Sequence, residues 1–390
     1  MIQQRKNGDM KYRKFGNLDW KASVLGFGLM RLPVKNNDWS NIVEPEAIRM
    51  IRYAIDHGVN YLDSAYVYHN GNSEVVAGKA LKDGYRDKVK IATKLPCWEV
   101  HSYEDFDRFL NEQLKRLQTD RIDFYLLHSL NKNDWLRLRR LGVIQWAEKA
   151  ISAGWIGHLG FSFHDTYDVF QEIIDDYDKW TFCQIQYNYV DEKLQAGTRG
   201  LEYAHKKGLA VVVMEPIRGG RLVRTPGKIA ELWETALLQR TPQEWALQWV
   251  WNHSEVTLAL SGMSNMEQLI ENIKYADGAQ PGNLTPSELA LIRKVRDAYL
   301  SLNPIPCTAC HYCVPCPNGV DIPRVFDSYN EAMIYNSALE QRKVYNDQLM
   351  FKAEQRADKC IKCDQCIEKC PQKLLIPELL DKAHAFLTEK

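Results

Sequence analysis

The feature that most constrains the fold is a repeat along the chain. Between residues 20 and 265, a short apolar run followed by an amphipathic helical stretch recurs eight times. Strands buried on both faces are almost continuously apolar and typical of parallel sheets, and eight strand–helix units are the number that closes a barrel. The predicted strands are 24–28, 60–63, 89–94, 122–128, 156–162, 182–187, 209–215 and 256–262. The sequence therefore predicts an α/β protein built on a (β/α)8 TIM barrel.

The alternative fold for this pattern is a doubly wound Rossmann sheet. Gly26 and Gly28 follow the first predicted strand as the start of a dinucleotide-binding fingerprint would, but Arg31 stands where its third glycine belongs. A tight turn at a strand end explains the two glycines equally well. The segments between the strands are predicted to be helices. Segment 44–58, for example, carries an apolar stripe and ends at Gly58.

The barrel pattern ends in a stretch rich in Gly, Pro and Asn, 277–288, and a helix is predicted over 286–301. The cysteine-rich remainder is mostly helical by composition. We therefore predict a barrel over 10–280, a linker and connecting helix over 281–301, and a small, mainly α-helical, ferredoxin-like domain over 302–390.

Eight of the ten cysteines lie between Cys307 and Cys370. The first group reads C-x2-C-x2-C-x2-C-P and the second C-x2-C-x2-C-x3-C-P. Three closely spaced thiolates bind one [4Fe-4S] cluster, and the cysteine before proline ligates the other cluster in two-cluster ferredoxins. The predicted ligand sets are Cys307, Cys310, Cys313 and Cys370 for one cluster, and Cys360, Cys363, Cys366 and Cys316 for the other. The x2 spacing before Cys316 departs from the usual x3. Zinc is the alternative metal, since repeated C-x2-C pairs also form tetrahedral sites.

Composition excludes several classes of function. The 50 Lys and Arg balance the 50 Asp and Glu, and no long single-sign block suggests nucleic-acid binding. The N-terminal stretch lacks the apolar core of a signal peptide, and the longest apolar runs are far too short to span a membrane. We therefore expect a cytoplasmic protein with neither a nucleic acid nor a membrane as partner.

Polar residues at the ends of three consecutive predicted strands suggest chemistry. Active residues of such barrels lie at the C-terminal strand ends, where Asp63, Lys94 and His128 fall, with Tyr68 in the loop after the second strand. Reduction of a carbonyl by hydride needs a proton donor, and a tyrosine assisted by a buried lysine can act near neutral pH. Taken singly, these residues have structural explanations as a helix cap, loop packing, a surface charge and a core histidine.

The segments LDSAYVYHNGNSE (62–74), ATKLP (92–96) and YLLHS (125–129) resemble the aldo-keto reductases. The resemblance covers nearly all of 10–278. It implies that Asp63, Tyr68, Lys94 and His128 are the catalytic tetrad of an NAD(P)-dependent oxidoreductase.

The same resemblance implies a set of cofactor-binding residues. Ser162 and Gln184 correspond to residues that hold the nicotinamide carboxamide, and EPIRGGRL (215–222) to the loop around the pyrophosphate. The full implied set is Gly28, Met30, Arg31, Ser162, Gln184, Met214, Pro216, Arg218, Gly219, Gly220, Gln268, Glu271 and Asn272. Met214 replaces the usual stacking aromatic, and Phe163 stands where the family often has Asn. Gly262 and Gln268 replace basic residues that bind a 2′-phosphate, so NADH and NADPH both remain open.

The expected function is NAD(P)H-dependent reduction of an aldehyde or ketone to an alcohol, with two [4Fe-4S] clusters that exchange electrons. Because nicotinamide transfers two electrons together and a cluster passes them singly, other functions stay open. One is a flavin- or ferredoxin-linked electron-transfer enzyme, although no motif specifies flavin; another gives the clusters a purely structural role. The expected partners are a small carbonyl substrate and a ferredoxin or flavoprotein.

Overall fold

Eight parallel strands form the predicted closed barrel. The computed structural model describes residues 10–302, 305–348 and 350–389. Neighbouring barrel strands follow in chain order, and the last pairs in parallel with the first. The strands are β1 Tyr12–Lys14, β2 Lys21–Ser23, β3 Leu25–Gly28, β4 Tyr61–Asp63, β5 Lys90–Leu95, β6 Ile122–Leu130, β7 Ile156–Phe163, β8 Phe182–Gln186, β9 Ala210–Met214 and β10 Val256–Ser261. Strands β3 to β10 build the barrel, which confirms the predicted fold class.

Helices follow the barrel strands and make up most of the C-terminal region. They are α1 Glu44–Asp56, α2 Asn72–Ala80, α3 Glu104–Leu117, α4 Lys132–Arg140, α5 Val143–Ser152, α6 Tyr167–Asp175, α7 Gly197–Lys206, α8 Gly227–Glu234, α9 Pro242–Trp251, α10 Met266–Ala276, α11 Pro286–Ser301, α12 Ile322–Tyr335, α13 Ala338–Asn346, α14 Gln365–Lys369 and α15 Ile376–Thr388. Short 3-10 turns lie at Leu29–Arg31, Lys35–Asn37, Tyr68–Gly71, Arg86–Lys88, Cys97–Glu99, Arg218–Val223, Ala353–Gln355 and Ala357–Lys359.

Local sequence explains where these helices begin and end. Helix α1 starts with Glu44 and Glu46 in its first turn, where acidic side chains interact favourably with the helix dipole. It stops before Gly58, whose φ of 93° lies in the left-handed region that glycine adopts without strain. Helix α11 begins with a capping box between Thr285 and Glu288.

The hairpin of β1 and β2 was not predicted from the sequence. Phe15 lies between these strands, is fully buried, and packs 4.6 Å from the Phe124 ring and 6.0 Å from the Tyr61 ring. These two partners belong to the apolar barrel interior near the start of their strands. The hairpin therefore covers the N-terminal end of the barrel, opposite the strand ends that carry the polar residues.

The chain forms two compact units. One comprises the described residues up to Pro216 together with Ala246–Leu284, and it contains the barrel strands. The other comprises Ile217–Trp245 and the described residues from Thr285 onward. The segment after β9 thus belongs to the second unit, an assignment that the boundaries predicted from sequence did not include. Those boundaries stay a prediction. Residues 303–304, 349 and 390 of the predicted C-terminal domain lie outside the described residues. Residues 1–9 of the N-terminal stretch also lie outside them.

Helices organise the core of the second unit. Helix α12 packs against α13 and α15. The buried core includes Val325, Phe326 and Tyr329 from α12 and Leu380 from α15, and several cysteine side chains pack against it. The C-terminal region is therefore mainly α-helical, as predicted. Throughout the described residues, no helix combines the length and apolar character that crossing a membrane requires.

Candidate active site and cysteine loops

The interior-facing positions at the C-terminal strand ends carry the predicted catalytic side chains. Alternation along a strand sends every second residue to the barrel interior, where the apolar core lies. Asp63 on β4, Lys94 on β5 and His128 on β6 each lie two positions after a residue of that apolar core. The strand period therefore places all three on the interior face, above the apolar core.

Lys94 is the centre of this group. Its side chain is 1% exposed. Its Nζ donates hydrogen bonds to Asp63 Oδ1 at 2.5 Å and to the Ser64 carbonyl oxygen at 2.6 Å. The same ammonium lies 3.4 Å from the Tyr68 hydroxyl, so it can stabilise negative charge that forms on that oxygen.

Burial and pairing act in opposite directions on the charges of this pair. Burial raises the pKa of the Asp63 carboxyl, and the Lys94 ammonium and the Gln184 amide oppose the rise. Burial lowers the pKa of Lys94, and the Asp63 carboxylate opposes that fall. Each partner thus supports the charged form of the other, although both side chains are almost fully buried.

Tyr68 is positioned by an unusual turn. It opens the 3-10 turn Tyr68–Gly71, in which His69 and Asn70 have φ angles of 52° and 55°. Residues other than glycine rarely adopt such positive φ angles. A backbone of this kind persists only where contacts with neighbouring residues hold it. His69 is fully buried, and its Nδ1 lies 2.6 Å from the carbonyl oxygen of Trp39. This anchor fixes the turn that carries the Tyr68 hydroxyl.

His128 lies beside the tyrosine as an uncharged ring. Its ring centroid is 6.0 Å from that of Tyr68 in an edge-on arrangement, and Trp98 packs 5.2 Å away. Burial, together with the nearby charges of Lys94 and His164, holds the pKa of His128 well below its usual range. At neutral pH, His128 is therefore a neutral imidazole, able to donate one N–H without adding positive charge.

Ser162 and Gln184 occupy paired positions on the neighbouring strands β7 and β8. The Ser162 Oγ accepts a hydrogen bond from the Ser129 backbone N–H at 2.7 Å. Gln184 donates to Asp63 Oδ2 at 3.2 Å, and its buried Oε1 has no hydrogen-bond partner among the described residues. A buried carbonyl oxygen without a donor fits an amide N–H₂ of a bound molecule, which is what a nicotinamide carboxamide offers.

A buried polar network behind β5 was not predicted from the sequence. Glu74 on α2 is fully buried and accepts from Thr93 Oγ1 at 2.6 Å, from Gln113 Nε2 at 2.8 Å and from Arg116 Nη1 at 3.2 Å. Gln113 also donates to the Lys94 carbonyl oxygen at 3.0 Å. The network therefore fixes the backbone of β5 at Lys94. The sequence signal was one acidic residue in α2, a helix that also carries Lys79, and a single charged residue of this kind does not predict a buried network.

Other residues that the resemblance implies lie at the strand ends of the first unit. Arg31 lies beside Gly262, because a Cβ built on that glycine would come 3.2 Å from the Arg31 Cβ. Gln268 accepts from the Ser264 N–H at 2.8 Å, and Asn272 donates to Ser261 Oγ at 3.0 Å. The remaining members are Gly28 at the end of β3, Met30 in the turn after it, Met214 at the end of β9, Pro216, and Glu271 on α10.

The implied pyrophosphate loop belongs to the second unit. Arg218, Gly219 and Gly220 open the 3-10 turn Arg218–Val223, with φ angles of 51°, 65° and 93°. A Cβ built on Gly220 would meet no atom within 4 Å. The backbone of the turn is therefore open to an approaching group at this glycine.

The two cysteine loops share one backbone conformation. Ala309 and Lys362, each two residues after the first cysteine of a group, have φ angles of 50° and 56°. His311 and Asp364, two residues further along, have φ angles of 64° and 60°. The N–H groups of Ala309 and Lys362 each donate to the preceding cysteine sulfur, Cys307 or Cys360, at 3.4 Å. The two loops repeat the same strained conformation and turn N–H groups toward sulfur. Both features are suited to thiolate ligands of a cluster.

Electrostatic proximity sorts the eight thiols into two sets. Burial raises the pKa of Cys313, and Cys310, Cys307 and Cys370 raise it further. Burial likewise raises the pKa of Cys366 to about 11, with further contributions from Cys360, Cys316 and Cys363. Cys370 thus lies near Cys313 of the first group, and Cys316 lies near Cys366 of the second. Cys97 and Cys183 are buried in the first unit, outside both sets.

A surface pocket adjoins the second set. Its lining includes Cys316, Cys360, Cys363 and Cys366, together with Cys313 of the first set. Among the described side chains, no three of the His, Cys, Asp or Glu type are grouped so as to hold a single metal ion. The donor chemistry and the loop geometry fit iron–sulfur clusters.

The barrel with its buried Lys94–Asp63 pair, joined to a unit with two thiolate sets, defines an oxidoreductase with an iron–sulfur domain. Residues 24–297 match the model of the Aldo/keto reductase family, and residues 306–375 match that of a 4Fe-4S dicluster domain. The chain therefore belongs to the aldo/keto reductase family and carries a 4Fe-4S domain.

Known proteins resemble the chain over the barrel. A probable aldo-keto reductase from Glycine max is 35% identical over 126 residues, which cover 30% of this chain and only 36% of that protein. The structure of an aldo-keto reductase from Bacillus halodurans in its holo form is 28% identical in sequence and has a TM-score of 0.60. The match covers 73% of this chain and 96% of that protein. An aldo-keto reductase from Klebsiella pneumoniae in complex with NADPH is 24% identical over 74% of this chain and 95% of its own, with a TM-score of 0.61, and supports the fold.

Proposed function

We propose that the chain reduces an aldehyde or ketone to an alcohol with NADPH or NADH, and that two [4Fe-4S] clusters exchange electrons with the site. The observation that carries the proposal is the buried Lys94 ammonium, which contacts both Asp63 and the Tyr68 hydroxyl. A buried cation held against a phenol serves a reaction in which that phenol gives up its proton.

Tyr68 is the proposed general acid. When bound, the reduced nicotinamide supplies a hydride to the carbonyl carbon. The Tyr68 hydroxyl donates its proton to the carbonyl oxygen, so that no free alkoxide forms. The Lys94 ammonium stabilises the resulting phenolate at 3.4 Å, and Asp63 keeps that ammonium in place. A proton from solvent then restores the phenol.

His128 is proposed to orient the carbonyl oxygen. Burial keeps its imidazole neutral at physiological pH. A neutral donor polarises the oxygen without competing with Tyr68 as a strong acid. Trp98 packs against the same ring and limits the space around the substrate.

The coenzyme contacts follow the resemblance. Gln184 Oε1 and Ser162 are proposed to hold the carboxamide, a role that the unpaired and buried Gln184 oxygen supports. Arg218, Gly219 and Gly220 are proposed to contact the pyrophosphate. Gln268, Glu271 and Asn272 are proposed for the adenosine, with Gly28, Met30, Arg31, Met214 and Pro216 completing the site. Neither Gly262 nor Gln268 carries a positive charge, so the proposal covers both coenzymes.

Two clusters are inferred from the two thiol sets. The repeated loop conformation and the grouping of Cys370 with the first set, and of Cys316 with the second, support the ligand assignment. A [4Fe-4S] cluster supplies single-electron transfer when bound. The cysteine thiolates would hold such clusters, and the backbone N–H donors of the loops would offset part of the clusters' negative charge.

The source of the new C–H bond tests the proposal. Protein prepared anaerobically is mixed with a panel of aldehydes and ketones and coenzyme deuterated at the transferable position. One deuterium is expected at the carbinol carbon of the product by mass spectrometry. The matched control runs unlabelled coenzyme in D₂O, where no deuterium is expected at the carbinol carbon. Carbon label that comes from solvent, together with flavin released from the protein, would instead support the electron-transfer alternative.

A further inference from the structure

Three arginines lie close together in the segment that follows β9. Arg218, Arg221 and Arg224 belong to the second unit, the same unit that holds the eight-cysteine region. The turn Arg218–Val223 places the first two on the segment proposed for the pyrophosphate. A positive segment therefore shares one compact body with the cluster loops.

Helix α12 fixes this segment through two ion pairs. Arg221 Nη2 lies 3.4 Å from Asp327 Oδ1, and Arg224 is paired with Glu331. Asp327 and Glu331 are four residues apart and so lie on one face of the helix. The Arg221 side chain is only 12% exposed, so water screens its charge weakly.

The interior side of the same helix faces the cluster region. Phe326, next to Asp327, belongs to the core against which Cys307 and Cys313 pack. Through its ion pair with Asp327, Arg221 is therefore tied to the helix whose buried side packs beside the first thiol set.

A buried tyrosine lies next to the same segment. The Arg218 guanidinium is 5.4 Å from the centre of the Tyr299 ring, and both residues are almost fully buried. Within the part of the chain that the structure describes, the Tyr299 hydroxyl has no hydrogen-bond partner. A buried hydroxyl without an acceptor, next to an arginine, is suited to an anionic oxygen such as one of a pyrophosphate.

We propose that Arg221 links pyrophosphate binding on the Arg218–Gly220 turn to the reduction potential of the cluster held by Cys307, Cys310, Cys313 and Cys370. This inference rests on the proposed coenzyme site. Reduction adds one negative charge to the cluster, and a nearby cation favours that state. Nucleotide binding brings negative charge to the same cation and therefore lowers the potential. By linkage, reduction of this cluster weakens nucleotide binding by the same factor.

A redox titration of the full, anaerobically reconstituted chain tests the link. Dithionite is the reductant and EPR detects the two clusters, with and without saturating ADP-ribose or its 2′-phosphate. These probes carry a pyrophosphate but cannot donate hydride. ADP-ribose should lower one cluster potential and leave the other unchanged. A roughly tenfold change in the reduction equilibrium is expected, which corresponds to about 59 mV for one electron.

Substitutions separate the charge of Arg221 from its packing. Arg221→Gln should lower the potential of the same cluster without nucleotide and reduce its response to ADP-ribose. Arg221→Lys should restore both, because it keeps the charge. Arg342→Gln, which removes an arginine paired with Glu389 elsewhere in the unit, is the control and should change neither.

The outcomes distinguish the two proposals. If calorimetry shows that ADP-ribose binds but neither potential moves, the link is wrong and the coenzyme site stands. If neither probe binds the wild-type chain, the proposed coenzyme site fails and the link fails with it. Equal cluster potentials in wild type and Arg221→Gln would rule out the electrostatic role of Arg221 in either case.

Discussion

At Lys94, burial and pairing together set how the site responds to pH. Burial lowers the pKa of this ammonium, and only its protonated form stabilises a phenolate on Tyr68. As pH rises through the lowered pKa, the positive charge is lost, so hydride transfer should fall on the alkaline side earlier than an ordinary lysine would allow. Single-turnover rates measured from about pH 6 to about pH 10 check this.

Two variants make the pH test specific. Lys94→Met should remove the alkaline inflection together with most of the rate. Lys132→Met, a substitution of an exposed lysine paired with Glu172, should keep the wild-type profile. An inflection that persists in Lys94→Met would assign the titration to another group. No inflection from His128 is expected near neutrality, because its pKa lies well below the usual range.

Single residues also show where prediction from sequence stops. Asp63, Lys94 and His128 were predicted as site residues because each stands at the end of an apolar strand, where polar residues are conspicuous. Glu74 was not, because its role depends on side chains that come from α3 and β5. Such contacts between distant parts of a chain leave no periodic signal in the sequence.

The elements around β5 give a stability prediction. Glu74 pairs with Arg116 in the interior between α2 and α3, and Arg116 also pairs with Glu112, whose side chain is 40% exposed. Glu74→Ala leaves the arginine without its buried partner and should lower the free energy of unfolding by about 3 kcal/mol. Glu112→Ala, the matched control, should cost about 1 kcal/mol or less. Urea unfolding of the two variants measures the difference.

The conservative variant separates hydrogen bonding from charge. Glu74→Gln keeps an oxygen that can accept from Thr93 and should lose less stability than Glu74→Ala. Equal losses for Glu74→Ala and Glu112→Ala would show that the buried pair does not hold α2, α3 and β5 together.

The periodicity of apolar residues was sufficient to predict the main elements. All eight barrel strands and the helix over 286–301 lie where the pattern placed them, because burial on two faces or on one stripe leaves a regular spacing. The hairpin of β1 and β2 was missed, since both strands are short and mostly polar, unlike the apolar barrel strands. The membership of Ile217–Trp245 in the second unit was also missed, because ion pairs such as Arg221–Asp327 join segments far apart in sequence.

For the whole molecule, the crossed ligand sets make a prediction about cluster content. Wild-type protein purified without oxygen should contain about eight irons, from two cubanes. Cys370→Ala should destabilise the cluster of the first loop, and Cys316→Ala that of the second, because each thiol lies near the other loop's cysteines. Iron analysis and EPR of the reduced proteins should show the loss of a different cluster signal in each variant.

A cysteine outside both sets provides the control for this experiment. Cys183→Ala removes a buried thiol of β8 and should keep about eight irons. If Cys370→Ala removed the cluster of its own loop, the crossed assignment would be wrong. Zinc in place of iron in anaerobic protein would overturn the cluster proposal altogether.

Tyr68 is proposed to give the proton that accompanies hydride transfer, and one variant tests this role. Tyr68→Phe removes only the hydroxyl that lies 3.4 Å from Lys94. The rate constant for hydride transfer is measured in a single anaerobic turnover by the loss of coenzyme absorbance. Tyr66→Phe is the matched control, because that hydroxyl bonds to Glu112 instead.

Hydride transfer in Tyr68→Phe should be slower by roughly 10²- to 10⁴-fold, the range typical of a general acid. Coenzyme affinity and cluster spectra should stay at wild-type values, and Tyr66→Phe should react at close to the wild-type rate. A Tyr68→Phe protein that transfers hydride as fast as wild type would rule out Tyr68 as the proton donor.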